Sequence, residues 1–249
     1  MSTFNYSLSK KDGDPVFTVK GGKDSGVKFK ITDSVKGTPV KEYENSNKLI
    51  PIPGKGRLAE FVFGSSGSGK STYAAELVRS YKRKYPNNPF YLISPKRDDE
   101  TINKLNPNRI EISFDNFLGD DPITLEEVED SIVLFDDTEA ISDEKLRKAV
   151  DSFRDQILVR GRSMEISCIA IMHLAMSGWS TRILIAEAKR IVVFPHAGQI
   201  NQITNLLKMY VGLSKDQITE VLKQPSRYVI VNKVAPIYYM TEHKFKLLV

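Results

Sequence analysis

Short apolar runs alternate with amphipathic stretches along most of this chain. The runs Phe61-Val62-Phe63, Phe90 to Ser94, Ser131 to Phe135, Ile166 to Met172 and Arg190 to Phe194 are rich in Val, Ile, Leu and Phe and show little polar alternation. That pattern predicts strands buried on both faces, as in a parallel sheet covered by helices. Between the first two runs, residues 71–84 place Ala74, Leu77, Val78 and Tyr81 on one face at helical spacing. Helices are also predicted over roughly 142–159, 180–188, 198–210 and 214–223. Polar residues 96–108 lead to a short strand around Arg109 to Ile112, and Arg227–Asn232 with Pro236–Met240 read as a closing β-hairpin. Strands and helices in alternation predict an α/β fold with a mainly parallel central sheet and helices on both faces.

The opening of the chain reads differently. Residues 1–56 are rich in Lys, Gly, Ser and Asp, with short alternating stretches at Val16-Phe17-Thr18-Val19 and Val27 to Ile31, separated by Asp12-Gly13 and Gly21-Gly22. They predict a flexible leader and a small β-hairpin, a β-rich N-terminal segment. Pro51-Ile52-Pro53-Gly54-Lys55-Gly56 reads as the linker into a second unit over 57–249.

Residues 64–71, Gly-Ser-Ser-Gly-Ser-Gly-Lys-Ser, form a complete P-loop between the first strand and its helix. Glycines let the backbone N–H groups curl toward phosphate oxygens, and the helix turns its positive end to the same charge. Gly64, Ser65, Ser66, Gly67, Ser68, Gly69, Lys70, Ser71 and Thr72 are therefore the candidate nucleotide contacts. Lys70 would reach the β- and γ-phosphates, and the Ser71 hydroxyl would take a Mg²⁺ position.

Hydrolysis needs acids as well. The apolar run 131–135 ends in Asp136-Asp137-Thr138-Glu139. Asp136 is the expected Mg²⁺ partner and Asp137 the residue that orients or deprotonates water, with Glu139 a second candidate base. His173 ends the run 166–172 and is a candidate γ-phosphate sensor or, equally, an ordinary polar strand terminus. Transferred phosphoryl charge calls for an arginine, in cis or from a neighbouring subunit. Arg160 and Arg162 around Gly161 are the leading candidates and Arg182 another, each weighed against a plain surface role.

Composition adds limits. The chain has 249 residues, 41% hydrophobic and 27% charged, the balance of a soluble globular protein. No apolar run approaches the roughly eighteen residues of a membrane span, and the first residues lack a signal peptide's apolar core. Cys168 is the sole cysteine, which excludes an internal disulfide and fits a reducing compartment; with three histidines it makes no zinc site. A net charge of +5 is compatible with a polyanionic partner. Basic clusters at Arg79 to Lys84, Lys96-Arg97 and Lys145 to Arg154 would suit phosphate contacts, although acids intersperse them.

The segments FVFGSSGSGKSTYAAELV, FYLISPKRDDE, SIVLFDDTEA and LVRGRSMEISCIAIMHLAMSGWSTRILIAEAKRIVVF, in that order, resemble the poxvirus-type genome-packaging ATPases of large DNA viruses and virophages, within the FtsK/HerA superfamily. The likeness covers about residues 58–232, and its last segment is the most discriminating. It implies a RecA-like core with an additional strand between the P-loop and acidic strands. It implies ATP and Mg²⁺ as cofactors and a pentameric or hexameric ring that threads double-stranded DNA into a capsid. Capsid proteins then become candidate partners, and the infected-cell cytoplasm or the virion the expected location. Two departures stand out: His173 occupies a position where relatives commonly carry glutamine, and Asp136-Asp137 replaces a frequent Asp-Glu.

Other P-loop classes compete. A nucleoside or nucleotide kinase shares the loop and the sheet but needs an arginine-rich lid, of which no compact segment is evident. A GTPase should show Asn-Lys-x-Asp, yet the Asn-Lys pairs at 47, 103 and 232 lack the acid. A nucleotide-stabilised assembly factor without motor activity is the remaining alternative.

Overall fold

The computed structural model describes residues 6–35, 37–54, 56–173 and 179–248. Its N-terminal part contains β1 (Ser7–Ser9), β2 (Asp14–Lys20), β3 (Lys28–Thr32), β4 (Glu42–Glu44) and β5 (Lys48–Pro51). Strands β1, β3, β2 and β5 form an antiparallel sheet in that order. This is larger than the hairpin expected from the alternating stretches. Ser7–Ser9, read as flexible leader, pair with Lys30–Thr32, and Leu49 and Ile50 pair with Val19 and Thr18. The extra strands form because Leu8 and Leu49 bury against the Phe17–Phe29 stack, whose ring centroids lie 4.9 Å apart. The first five residues of the expected leader lie outside the described residues.

The chain continues through β6 (Ala59–Phe63), α1 (Lys70–Lys84), β7 (Phe90–Ile93), α2 (Glu100–Asn103), β8 (Asn108–Arg109), α3 (Phe114–Leu118) and β9 (Ile132–Asp136). Next come α4 (Glu144–Arg160), β10 (Ser167–Met172), α5 (Trp179–Glu187), β11 (Arg190–Val193), α6 (Ile200–Leu206) and α7 (Lys215–Leu222). Strands β12 (Val229–Asn232), β13 (Tyr238–Met240) and β14 (Lys244–Leu247) complete it. Helices α2 and α3 were not expected. Each starts where a side chain, Asp99 or Ser113, accepts from first-turn N–H groups. Strand β14 was also missed, although Lys244-Phe245-Lys246-Leu247 alternates cleanly in burial.

Among the described residues a ten-stranded sheet runs β4, β14, β13, β12, β11, β6, β10, β9, β7, β8. From β11 to β8 every pairing is parallel, and from β11 outward to β4 every pairing is antiparallel. The strand expected between P-loop and acidic strands is present: β10 lies between β6 and β9. Both faces are covered. Phe61, Phe63, Val133, Phe135, Cys168 and Ala170 face α4 to α7, while Val62, Leu134, Ile169 and Ile171 face α1 and the N-terminal sheet. No helix among the described residues is long and apolar enough to cross a membrane.

One ionic group sits inside this core. Glu60 on β6 has no exposed surface and forms an ion pair with Arg190 on β11, its direct neighbour in register. Tyr73 of α1 donates to Glu60 Oε2 at 2.7 Å, and Arg190 Nη1 donates to the Ile52 carbonyl at 3.3 Å. The group thus ties the P-loop strand, the P-loop helix and the chain entering the sheet to one another. Breaking a buried pair on one side leaves a charge without compensation. Arg190→Met should cost about 3–5 kcal/mol in urea unfolding, and adding Glu60→Gln should recover most of it.

Candidate active site

The strand register assembles the site. Phe63 lies beside Met172, and Asp136 beside Ile171, so the three chains leave the sheet together at its carboxyl edge. The ladder continues one step further: Gly64 N donates to Met172 O at 3.3 Å and Asp137 N to Ile171 O at 3.2 Å. P-loop, acids and His173 therefore emerge side by side, at the edge where open α/β sheets bind ligands.

Helix α1 starts here without a cap. No side chain bonds its first turn and no acid lies in it, whereas Ser113, Asp143 and Ser214 cap α3, α4 and α7. Its leading N–H groups are left for an anion. The loop needs its glycines for geometry: Gly69 has φ of 104°, and a Cβ at Gly64 would stand 2.9 Å from both the Phe194 ring and Ser68 Oγ. Lys70 is buried, its Nζ donating to Gly64 O at 2.7 Å and Ser65 O at 3.0 Å. Burial pulls its ammonium below the usual lysine range, with Asp137 opposing. A triphosphate would replace two neutral carbonyls with full negative charge around this group.

Opposite stand the acids. Asp136 is 2% exposed; its Oδ2 accepts from Ser94 Oγ at 3.3 Å, and its buried Oδ1 has no hydrogen-bond partner. Burial and the charge of Asp137 push its carboxyl up to about 6. Asp137 takes a left-handed conformation, φ 52°, which turns the chain sharply beneath the site. Its carboxylate pairs with Lys96 through Oδ2 and with His173 Nε2 through Oδ1, the latter at 3.0 Å. Burial raises the Asp137 carboxyl, but hydrogen bonds from Lys96 and His173 outweigh it and hold the group below the usual range. His173 Nδ1 lies 3.3 Å from Lys70 Nζ, so the imidazole bridges the P-loop lysine and Asp137. Glu139 Oε1 accepts from the His173 backbone N–H at 2.5 Å, which fixes the end of β10.

The arginines behave otherwise. Arg160 and Arg162 are exposed at the end of α4, in the turn leading into the amino end of β10. That is the opposite edge of the sheet, about 20 Å away along a six-residue strand. Within one chain they do not meet the P-loop. Arg182 lies exposed on α5. Residues 174–178, part of the resembling segment, lie outside the described residues.

Three residues near the site were not anticipated in these roles. Ser94 and Lys96 follow β7 and reach the acids because β7 pairs with β9, with Ile93 beside Phe135. Arg227 reaches the P-loop, its Cδ 3.0 Å from where a Gly69 Cβ would lie. It lines a cavity of about 420 Å³ with Ser65, Ser66, Gly67, Ser68 and His196. The only sequence signal for them was polarity just beyond a strand or just before one.

Residues 60–185, from β6 into α5, match the family described as Novel STAND NTPase 3. This chain belongs to that family. Protein V3 of Sputnik virophage is 33% identical over 241 residues, 96% of this chain and 97% of that protein. A virophage relative and a P-loop NTPase family agree with what the motifs implied. Two solved structures are similar at a lower level. The genome packaging NTPase B204 from Sulfolobus turreted icosahedral virus 2, in complex with sulfate, is 13% identical, covering 78% of this chain and 98% of that one, with a TM-score of 0.48. The pCW3 conjugation coupling protein TcpA is 10% identical, covering 94% and 77%, with a TM-score of 0.47.

The donor set of this NTPase fits a divalent cation. A buried carboxylate with an unpartnered oxygen and a raised pKa is what a dication would stabilise. Without the cation, ionised Asp136 costs stability. The folded protein holds that proton up to about pH 6 while the unfolded chain releases it near 3.8, so stability falls as pH rises through that window. Asp136→Asn should therefore raise the urea midpoint of the metal-free protein at pH 8, with the advantage shrinking between pH 6 and 4.

Proposed function

We propose that this chain is an ATP-hydrolysing motor that moves double-stranded DNA, acting as a homo-oligomeric ring in packaging a viral genome into its capsid. The observation that carries the hydrolase part is the meeting of Lys70, Asp136, Asp137 and His173 on one sheet edge. Support for the motor part comes from the packaging-ATPase pattern of the four sequence segments, the virophage relative and the net positive charge. The same reading places the protein in the infected-cell cytoplasm or the virion.

The uncapped start of α1 and the backbone of residues 64–69 receive the phosphates. Lys70 gives up the Gly64 and Ser65 carbonyls for the β- and γ-phosphate oxygens, neutralising charge that grows during transfer. Ser71 and Asp136 would hold Mg²⁺, which supplies charge neutralisation between the phosphates when bound. Asp137 orients the attacking water and takes its proton, with Glu139 holding the end of β10 in place. His173, between Lys70 and Asp137, is positioned to register whether a γ-phosphate is present. Arg160 and Arg162, remote in cis, would act only across a subunit boundary, and Arg182 remains a further candidate there.

The test is the ATPase rate with and without duplex DNA. Lys70→Ala and Asp137→Asn should each lower kcat by at least about a hundredfold, the loss expected for a charge clamp or a general base. Duplex DNA should stimulate the unmodified protein. Phosphate passed to a nucleoside, with no DNA stimulation, would support the kinase reading instead. Ring assembly that needs ATP without DNA-stimulated hydrolysis would support the assembly factor. Arg227→Ala should raise the KM for ATP about tenfold, equivalent to about 1.4 kcal/mol of binding, and leave kcat unchanged.

A further inference from the structure

Asp137 is engaged on both carboxylate oxygens, by His173 on one side and Lys96 on the other. Its side chain is 3% exposed, so the group meant to take a proton from water is shielded from it. The two partners differ in freedom. His173 is anchored by its backbone to Glu139. Lys96 stands on a turn just beyond β7 with 47% of its side chain exposed.

That exposed side opens on a cavity of about 730 Å³, which Lys96 shares with Arg97 and Arg109. Arg109 Nη1 donates to the Lys96 carbonyl at 2.9 Å, so the arginine and the lysine turn are joined. Of the acids at its rim, Asp143 is committed to capping α4 through the Leu146 N–H at 2.9 Å, and Glu111 shares the lining with Lys96, Arg97 and Arg109. The cavity is thus a cationic recess whose inner wall is the lysine holding the catalytic carboxylate.

We propose that this recess binds phosphates of the duplex DNA backbone, and that Lys96 is the positioning residue through which that binding frees Asp137. The proposal rests on Asp137 being the base. A phosphate entering beside Arg97 and Arg109 competes with the carboxylate for the Lys96 ammonium. Once Lys96 turns outward, Asp137 keeps only His173 and is open to water. Duplex DNA suits the recess because its charges recur every ~1.7 Å of helix axis, so one ligand meets several cations at once. Hydrolysis would then be slow until DNA is in place.

The experiment measures DNA-free and DNA-saturated ATPase rates of the full chain at fixed Mg²⁺ and salt. Lys96→Ala should raise the DNA-free kcat about tenfold with the KM for ATP unchanged, and lose most of the stimulation by duplex DNA. Lys96→Arg, which retains the cation, should keep the unmodified profile. Arg97→Ala with Arg109→Ala should raise the DNA concentration for half-maximal stimulation about tenfold. If Lys96→Ala fails to fold, Lys96→Gln carries the same test. A DNA-free rate at or below that of the unmodified protein overturns the proposal, as does equal stimulation by polyglutamate. Asp137→Asn separates the two levels. Full hydrolysis by that variant sinks the assignment of the base, whereas its inactivity with no gain in Lys96→Ala sinks only the role of Lys96.

Discussion

The parallel hydrogen-bond ladder that β10 makes with β6 on one side and β9 on the other is the constraint on which the site depends. Each pairing fixes where a chain leaves the sheet. Because Met172 lies beside Phe63 and Ile171 beside Asp136, three segments distant in sequence release Gly64, Asp137 and His173 within hydrogen-bond reach. A slip of one residue would turn every side chain on β10 to the opposite face and take His173 away from Lys70. The alternation of Cys168, Ala170 and Met172 with Ile169 and Ile171 between two apolar layers resists that slip. Core packing and site geometry are in this sense one requirement.

On that frame the charges are balanced locally and incompletely. Asp137 meets Lys96 and His173, His173 also touches Lys70, and Glu139 meets a backbone N–H. Asp137 has two cationic or potentially cationic neighbours, Lys96 and His173, whereas Asp136 accepts from one hydroxyl. The asymmetry separates two neighbouring carboxylates chemically: one is held ionised below its usual range, and the other is pushed up to about 6. The same principle appears wherever adjacent titratable groups are given different environments and hence different tasks.

The N-terminal region contributes to this frame more than its polar composition suggests. Phe17, Phe29 and Leu49 join the apolar layer that also holds Tyr73, Leu77 and Tyr81 of α1. Lys48 pairs with Glu76 of α1 at 2.9 Å, and β4 adds to the large sheet beside β14. The helix that follows the P-loop is therefore backed by the N-terminal sheet as well as by the central one.

How much of this was legible depends on whether the cause is local. The strand, glycine-rich loop and helix over 59–84, the strand that ends in Asp136, the other buried strands and the α1 face were legible because each is written in consecutive or periodically spaced residues. Strand β14 and the N-terminal sheet were underread because Lys, Glu and Ser dilute a period-two signal that only pairing completes. The sequence by itself determined the groups available: a glycine-rich loop ending in Lys70 and Ser71, two adjacent carboxylates and a histidine at a strand end. Tertiary structure alone decided which groups meet. Pairing of β7 with β9 brought Lys96 to Asp137, the approach of the chain before β12 brought Arg227 to Gly69, and the direction of α4 carried Arg160 and Arg162 to the far edge. Strand order is set by the total burial of apolar faces and the sum of long-range hydrogen bonds, quantities that no single segment encodes.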